Sequence, residues 1–298
     1  MLIIANYAMK GPMQALLGIT IFSVLSVFLA PFGIIAGALI ALVTLRVSVT
    51  EGFKALVWGV VSHMAISVLI SGSYLSGLVS IIEYMVPVYL MAVVLRSTQS
   101  LALALQFAMI LVGVTMVGFH LAIDNPAQWW ISLFTEYVAP LLATSNIDYD
   151  QDVINSLADM VTMLIGIFII ILWFSILVVA RWWQSELYNP GGFKEDFYSL
   201  ALPKSAAYMA LFLAIAGLFA GSQGGLIYDL SGVIIAGLMF QGLAIAHKTV
   251  AVNNYSNAWL VGLYILLFIL PQAMLILATI GLVDTFVDFR RRLENEEQ

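Results

Sequence analysis

The chain is 298 residues long, 62% hydrophobic and only 9% charged, with a mean hydropathy of +1.04. A water-soluble domain carries roughly 25% charged residues, so a soluble fold is excluded and the bilayer is the first partner. A net charge of −6 argues against nucleic acid, which needs clustered Lys and Arg, and the absence of cysteine removes disulfides, thiolate metal sites and thiol nucleophiles.

A helix crosses about 30 Å of hydrocarbon with about 20 apolar residues. That ruler predicts an all-α, polytopic transmembrane helical bundle of about eight or nine spans, with one or two interfacial amphipathic helices, in a single membrane domain over 1–298. The apolar runs lie near 12–30, 32–46, 54–71, 75–95, 99–121, 157–181, 205–220, 226–246 and 258–283. The N-terminal MLIIANYAMKGPMQ lacks the order of a cleavable leader, so its first apolar run is expected to be kept as a span. Small residues recur every fourth position at Gly33, Gly37 and Ala41, at Gly217 and Gly221, and at Gly232 and Ala236. Removing side-chain bulk on one face lets helix backbones approach, either for packing or for docking a membrane-protein partner.

Between the fifth and sixth runs, residues 122–152 carry acids and no Lys or Arg. By the positive-inside rule this loop belongs away from the cytoplasm, with 127–143 as an interfacial helix holding Trp129, Trp130 and Tyr137 at headgroup depth and bent at Pro140. After the sixth run comes RWWQSELYNPGGFKEDFYSLALPK, residues 181–204. Here Arg181 is expected to end the span, Trp182 and Trp183 to mark the headgroups, and Asn189, Pro190, Gly191 and Gly192 to form a tight turn. Phe193, Phe197 and Leu200 then repeat at helical spacing, predicting a short amphipathic helix on the membrane that Pro203 ends. Counting basic residues puts Lys10, Arg46, Lys54, Arg96, Arg181, Lys194, Lys204 and Lys248 on the cytoplasmic side. The tail arginines Arg290 to Arg292 fall on the wrong side if 258–283 crosses once, which makes Pro271 and the short pair around Pro31 suspect.

Ionisable groups at bilayer depth are functional candidates by default. His63 and Glu83 lie about equally far from the turn at Ser71-Gly72-Ser73, so antiparallel helices would hold them at one depth. Pro87, one turn past Glu83, would free a backbone carbonyl for a ligand. His63, Glu83 and Pro87 are therefore a candidate substrate site, a proton site, or a polar pair that locks two helices. His120 and His247 sit at span ends and read as interfacial, as do Asp159 and Asp229, where water reaches them. Gln106, Gln241 and Gln272 suit hydrogen bonds between helices. No two histidines have ligand spacing, so no metal is expected, and neither is a cofactor. Phosphate-binding loops, zinc-peptidase motifs and a nucleophile elbow are missing, which points away from an enzyme.

Three stretches carry a family resemblance: ARWWQSELYNPGGFKEDFYSLALP (180–203), ALIALVTLRVSVTEG (38–52) and PQAMLILATIGLVDTFVDFRRRL (271–293), the last with Gly281, Asp284, Asp288 and Arg290 in matching places. They resemble the YybS-like bacterial membrane proteins, a family of unknown function. Ser48 stands where that family more often has glycine. The resemblance implies a multi-span protein of the bacterial inner membrane, distantly grouped with the substrate-binding subunits of energy-coupling-factor transporters. Such subunits bind a small molecule within a helical bundle. The alternative is an accessory or scaffolding protein that docks a partner through Arg181, Trp182, Trp183, Asn189, Pro190, Gly191, Gly192 and Phe193.

Overall fold

Helices follow one another along the whole of the computed structural model, which describes residues 1–220 and 225–289. They are α1 (Leu2–Ala8), α2 (Pro12–Phe28), α3 (Pro31–Arg46), α4 (Val49–Ser71), α5 (Tyr74–Ser80), α6 (Val86–Thr98) and α7 (Leu101–Ala122). After these come α8 (Pro126–Leu133), α9 (Ala139–Thr144), α10 (Gln151–Tyr188), α11 (Gly192–Tyr198), α12 (Lys204–Ala220), α13 (Leu226–Val252), α14 (Ala258–Ile269) and α15 (Ala273–Val287). π-helical turns at Ile81–Met85 and Phe134–Val138 join α5 to α6 and α8 to α9. Among the described residues there is no strand.

Five helical stretches are long and apolar enough to cross a membrane: Val49–Ser71, Gly77–Thr98, Leu101–Ala122, Gln151–Tyr188 and Leu226–Val252. This is an all-α membrane protein. Helices α2, α3, α12, α14 and α15 are apolar but shorter, 10–17 residues in their apolar stretches. The run at 258–283, read from sequence as one span, is two helices separated at Leu270–Gln272. Pro271 lacks the amide hydrogen that would continue the ladder, so the chain breaks there. A single crossing by that run is no longer required, and the conflict over the tail's sidedness loses its basis. Arg290 to Arg292 lie outside the described residues.

Local signals set several boundaries. Proline stands in the first turn of α2 and α3, where its missing amide hydrogen breaks no helical bond. Ser48-Val49-Thr50-Glu51 is a capping sequence, and Ser48 Oγ accepts the Glu51 amide at 3.0 Å. The departure from glycine at Ser48 thus has a structural use as a helix cap. Gly72, at φ 65, ends α4 in the left-handed conformation that glycine adopts without penalty. The sixth run continues as helix past Arg181 to Tyr188, so the helix extends seven residues beyond the expected end of the span.

The chain forms two compact units, residues 1–108 with 171–200, and residues 109–170 with 201–298. In the first, α3 is central and buried continuously from Ala36 to Leu45. Its small-residue face lies against side chains of the same unit: Gly33 faces the Tyr84 ring, a Cβ there coming 3.0 Å from Cζ, and Gly37 faces Ile176 at 3.1 Å. In the second unit α13 is central, buried from Ala236 to Ile245. A Cβ on Gly242 would run into the Leu277 carbonyl of α15, and one on Gly281 into the Leu238 carbonyl of α13. The two backbones meet directly, which is how membrane helices gain packing without a hydrophobic drive. Gly217 has nothing within 4 Å of an added Cβ, so its small-residue spacing brings no helix near it, and its partner Gly221 lies outside the described residues.

Candidate functional site

The predicted His63 and Glu83 pair does not form. His63 in α4 is buried, and its Nδ1–H donates to the Ser23 carbonyl at 2.9 Å, with Ser26 Oγ at 3.1 Å. A carbonyl only accepts, which fixes the proton on Nδ1. Ser26 donates its own hydrogen to the same carbonyl at 2.7 Å, leaving its oxygen to accept from the Tyr84 hydroxyl at 3.2 Å. This His63, Ser26 and Tyr84 network ties α4 and the π turn to α2. The neighbour of His63 across that turn is therefore Tyr84, one residue beyond Glu83, whose own side chain is exposed. The π turn rotates the helix face by part of a turn, which a uniform helical count does not anticipate.

Pro87 acts as its chemistry predicts, with a different recipient. It is buried, and the carbonyl four residues before it, that of Glu83, accepts the indole N–H of Trp173 in α10. The carbonyl freed by Pro87 is thus satisfied by a protein donor.

Residues 181–200 fold back on the first unit, to which they belong. Arg181 meets Asp196 Oδ2 through Nη2 at 2.6 Å and Nε at 2.8 Å, and holds Gln184 Oε1 at 3.1 Å. Gln184 donates to the Leu45 carbonyl at the end of α3, at 3.3 Å. Ser185, fully buried, donates to the Asn189 carbonyl and accepts the Phe193 amide, both at 2.8 Å. Pro190 and Gly191 form the exposed turn, with Gly191 at φ 94, while Gly192 is buried against Asn189. Trp183 is fully buried in protein, whereas Trp182 is half-buried. The amphipathic helix exists as α11, yet Phe197 and Leu200 are buried in protein and Phe193 stacks on Phe197 at 5.7 Å. Its apolar face covers protein where the sequence suggested lipid.

A second polar centre was not singled out from sequence. In the second unit His120, near the end of α7, is bound through Nε2 to Asp229 Oδ2 at 2.7 Å. Asp229 sits in the first turn of α13, and only 2% of it is exposed. Its other oxygen, Oδ1, is buried and makes no hydrogen bond. The Met163 backbone approaches the carboxylate but does not fill that oxygen. The pair borders a cavity of about 270 Å³ whose polar lining also includes Asp124, Asn125, Asp159 and Thr162. Thr162 Oγ1 is held by the Trp130 indole N–H at 2.9 Å, which ties α8 to α10. The wall is completed by Pro126, Ala127, Ala158 and Gly225.

Sequence reading placed Asp159, Asp229 and His120 at the same acidic-side depth, each apart from the others. Equal depth on three spans was the available signal. What it lacked was the knowledge that these spans are neighbours, and that Asp229 is buried instead of wet. Among the described residues no group of three His, Asp or Glu side chains is arranged to hold a metal ion.

Deeper in the same unit Gln241 joins helices as expected: Nε2 donates to Asp284 Oδ2 at 2.9 Å, and Oε1 accepts the Leu202 amide at 2.9 Å. Asp284 Oδ1 accepts the Phe289 amide at 2.9 Å. Gln106 bonds the Ala102 carbonyl of its own helix at 3.2 Å. No family model matches the chain, and no curated protein or solved structure does either.

Proposed function

We propose that this is a non-catalytic, small-molecule binding or translocation subunit of a bacterial inner membrane, with its solute site at the acidic end of the second unit. One observation carries the reading: Asp229 is buried at 2% exposure with one carboxylate oxygen unfilled, beside a cavity of about 270 Å³. Burying an ionisable group without full hydrogen bonding is costly, and membrane proteins keep such groups where a solute or proton passes. The cavity lies just below the usual range of ligand-pocket sizes, roughly 300–1,000 Å³, as suits a small solute. The resemblance of three stretches to the YybS-like proteins, and through them to substrate-binding transport subunits, agrees with this reading.

Of the site expected from sequence, His63, Glu83 and Pro87, the His63 ring is engaged by Ser23 and Ser26, and the Glu83 carbonyl that Pro87 leaves open by Trp173, which favours a structural role for them. Docking a partner through 181–204 is the second reading: Trp183 and Gly192 of that surface are already buried, and Asn189, Pro190 and Gly191 are exposed.

The test is native mass spectrometry of protein extracted gently from its membrane. Wild type is expected to carry a small molecule that Asp229→Asn loses while remaining folded and monodisperse. Identical bound masses in both proteins would remove the site from consideration.

A further inference from the structure

We infer that the solute of this site is a small organic cation that presents a primary ammonium group to Asp229. The inference rests on the binding reading above and specifies the ligand's chemistry.

Charge comes first. Asp124, Asp159 and Asp229 border the cavity, and among the described residues of the lining His120 is the one group able to offset them. A protonated imidazole supplies at most one positive charge against three carboxylates. Lysine or arginine does not line the cavity among the described residues. The sequence makes this more than local chance, since no Lys or Arg occurs between Arg96 and Arg181, nor between Lys204 and Lys248. All of α7, the N-terminal part of α10 and the N-terminal part of α13 fall within those intervals. Such a one-signed, partly enclosed site concentrates cations and repels anions.

Hydrogen bonding narrows the class. Asp229 Oδ2 already accepts from His120, whereas buried Oδ1 has no donor. An ionised carboxylate only accepts, so the complement must bring N–H or O–H groups. An ammonium carries three donors on one centre and can satisfy Oδ1 while facing a second acceptor of the lining, such as Asp159. A quaternary ammonium has no N–H and leaves Oδ1 empty. A bare metal ion is disfavoured because no three ligating side chains converge among the described residues. Ala127, Ala158 and Pro126 give the remaining wall an apolar character suited to a short alkyl chain, and about 270 Å³ has room for a short-chain amine, since one water takes roughly 30 Å³.

The experiment is thermal denaturation of purified full-length protein titrated with propylammonium chloride, with sodium chloride and tetramethylammonium chloride at equal ionic strength as controls, and with propionate and propanol as anionic and neutral probes. Propylammonium is expected to raise Tm saturably where both control cations do not. Asp229→Asn should weaken its apparent affinity roughly tenfold or more, the scale of one lost charge-assisted hydrogen bond. Asp159→Asn, at a half-exposed position, should weaken it less and keeps the test usable should Asp229→Asn fail to fold. Equal shifts from propylammonium and tetramethylammonium, or undiminished binding in both variants, would overturn the ammonium assignment. A neutral or anionic molecule co-purifying with wild type and lost from Asp229→Asn would also overturn it while leaving the binding reading intact. Absence of any co-purifying molecule, with no response to a probe of any charge, would overturn both.

Discussion

Trp173 donates its indole N–H to the backbone carbonyl of Glu83, the acceptor left open because Pro87 has no amide hydrogen to return to it. Residues 90 apart in sequence are thereby coupled through the covalent chemistry of a third. Trp173→Phe keeps most of the ring volume and leaves the part-buried carbonyl without that donor. The expected loss is about 1–3 kcal/mol, read as a lower Tm in detergent. Pro87→Ala in the same background restores a local donor, so the double variant should recover part of that loss. Additive effects would mean the two residues are not linked.

Gly242→Ala and Gly281→Ala each push a methyl group into the facing helix backbone. Backbone does not rotate aside as a side chain can, so each should destabilise by about 1–3 kcal/mol or more. Gly118 has nothing within 4 Å of an added Cβ, and Gly118→Ala should be neutral or stabilise by about 0.5–1 kcal/mol through reduced chain entropy. The three melting temperatures check the contrast, and equal values would contradict the backbone contact.

Two substitutions in the 181–204 stretch separate buried from exposed polar contacts. Ser185→Ala strands the Phe193 amide, while the Asn189 carbonyl keeps the Gly192 amide at 3.1 Å, and Ser185 is fully buried. A loss of about 1–3 kcal/mol is expected, with faster proteolysis around the exposed Pro190 turn. Asp196→Asn breaks an ion pair whose side chains are 16% and 32% exposed, so its effect should stay below about 1 kcal/mol and shrink in high salt.

Sidedness is open to direct labelling because the chain has no native cysteine. Asp148 precedes α10 and Lys194 follows it, both exposed, and α10 is a single 38-residue helix with an apolar window of mean hydropathy 3.0. Asp148→Cys is expected to react with an impermeant thiol reagent from outside the cell, and Lys194→Cys only after the inner leaflet is opened. Labelling of both from one face would reject a single crossing by α10.

How much of this could be read beforehand depends on which physics each feature uses. Helices and their approximate positions follow from run length, since apolar residues in lipid can satisfy their backbones only by helix formation. Pro271 and Pro87 were visible because proline's effect is covalent and local. The partner for the Glu83 carbonyl was not, because Trp173 reaches it from 90 residues away. His63 was assigned to Glu83 by counting equal distances from a turn, a method that the π turn at Ile81–Met85 defeats by one residue. His120 and Asp229 were visible as residues at matching depth, but 109 positions separate them, and depth alone does not say which spans are adjacent. The end of the sixth span was set at Arg181 on the view that charge marks the membrane edge. Asp196 neutralises that charge, so helix continues beneath it.

The reciprocal seating of Gly242 under Leu277 and of Gly281 under Leu238 leaves no soft layer between α13 and α15. Side chains flex through rotamers, whereas main chain against main chain yields only by sliding whole turns. Asp229 is carried on α13 and so inherits that stiffness. On the proposed binding reading, widening the mouth beside it would fall to its other walls, α7 and the start of α10, where the methionine Met116 packs against Gly166. The acidic site would thus behave as a fixed anvil with one movable jaw.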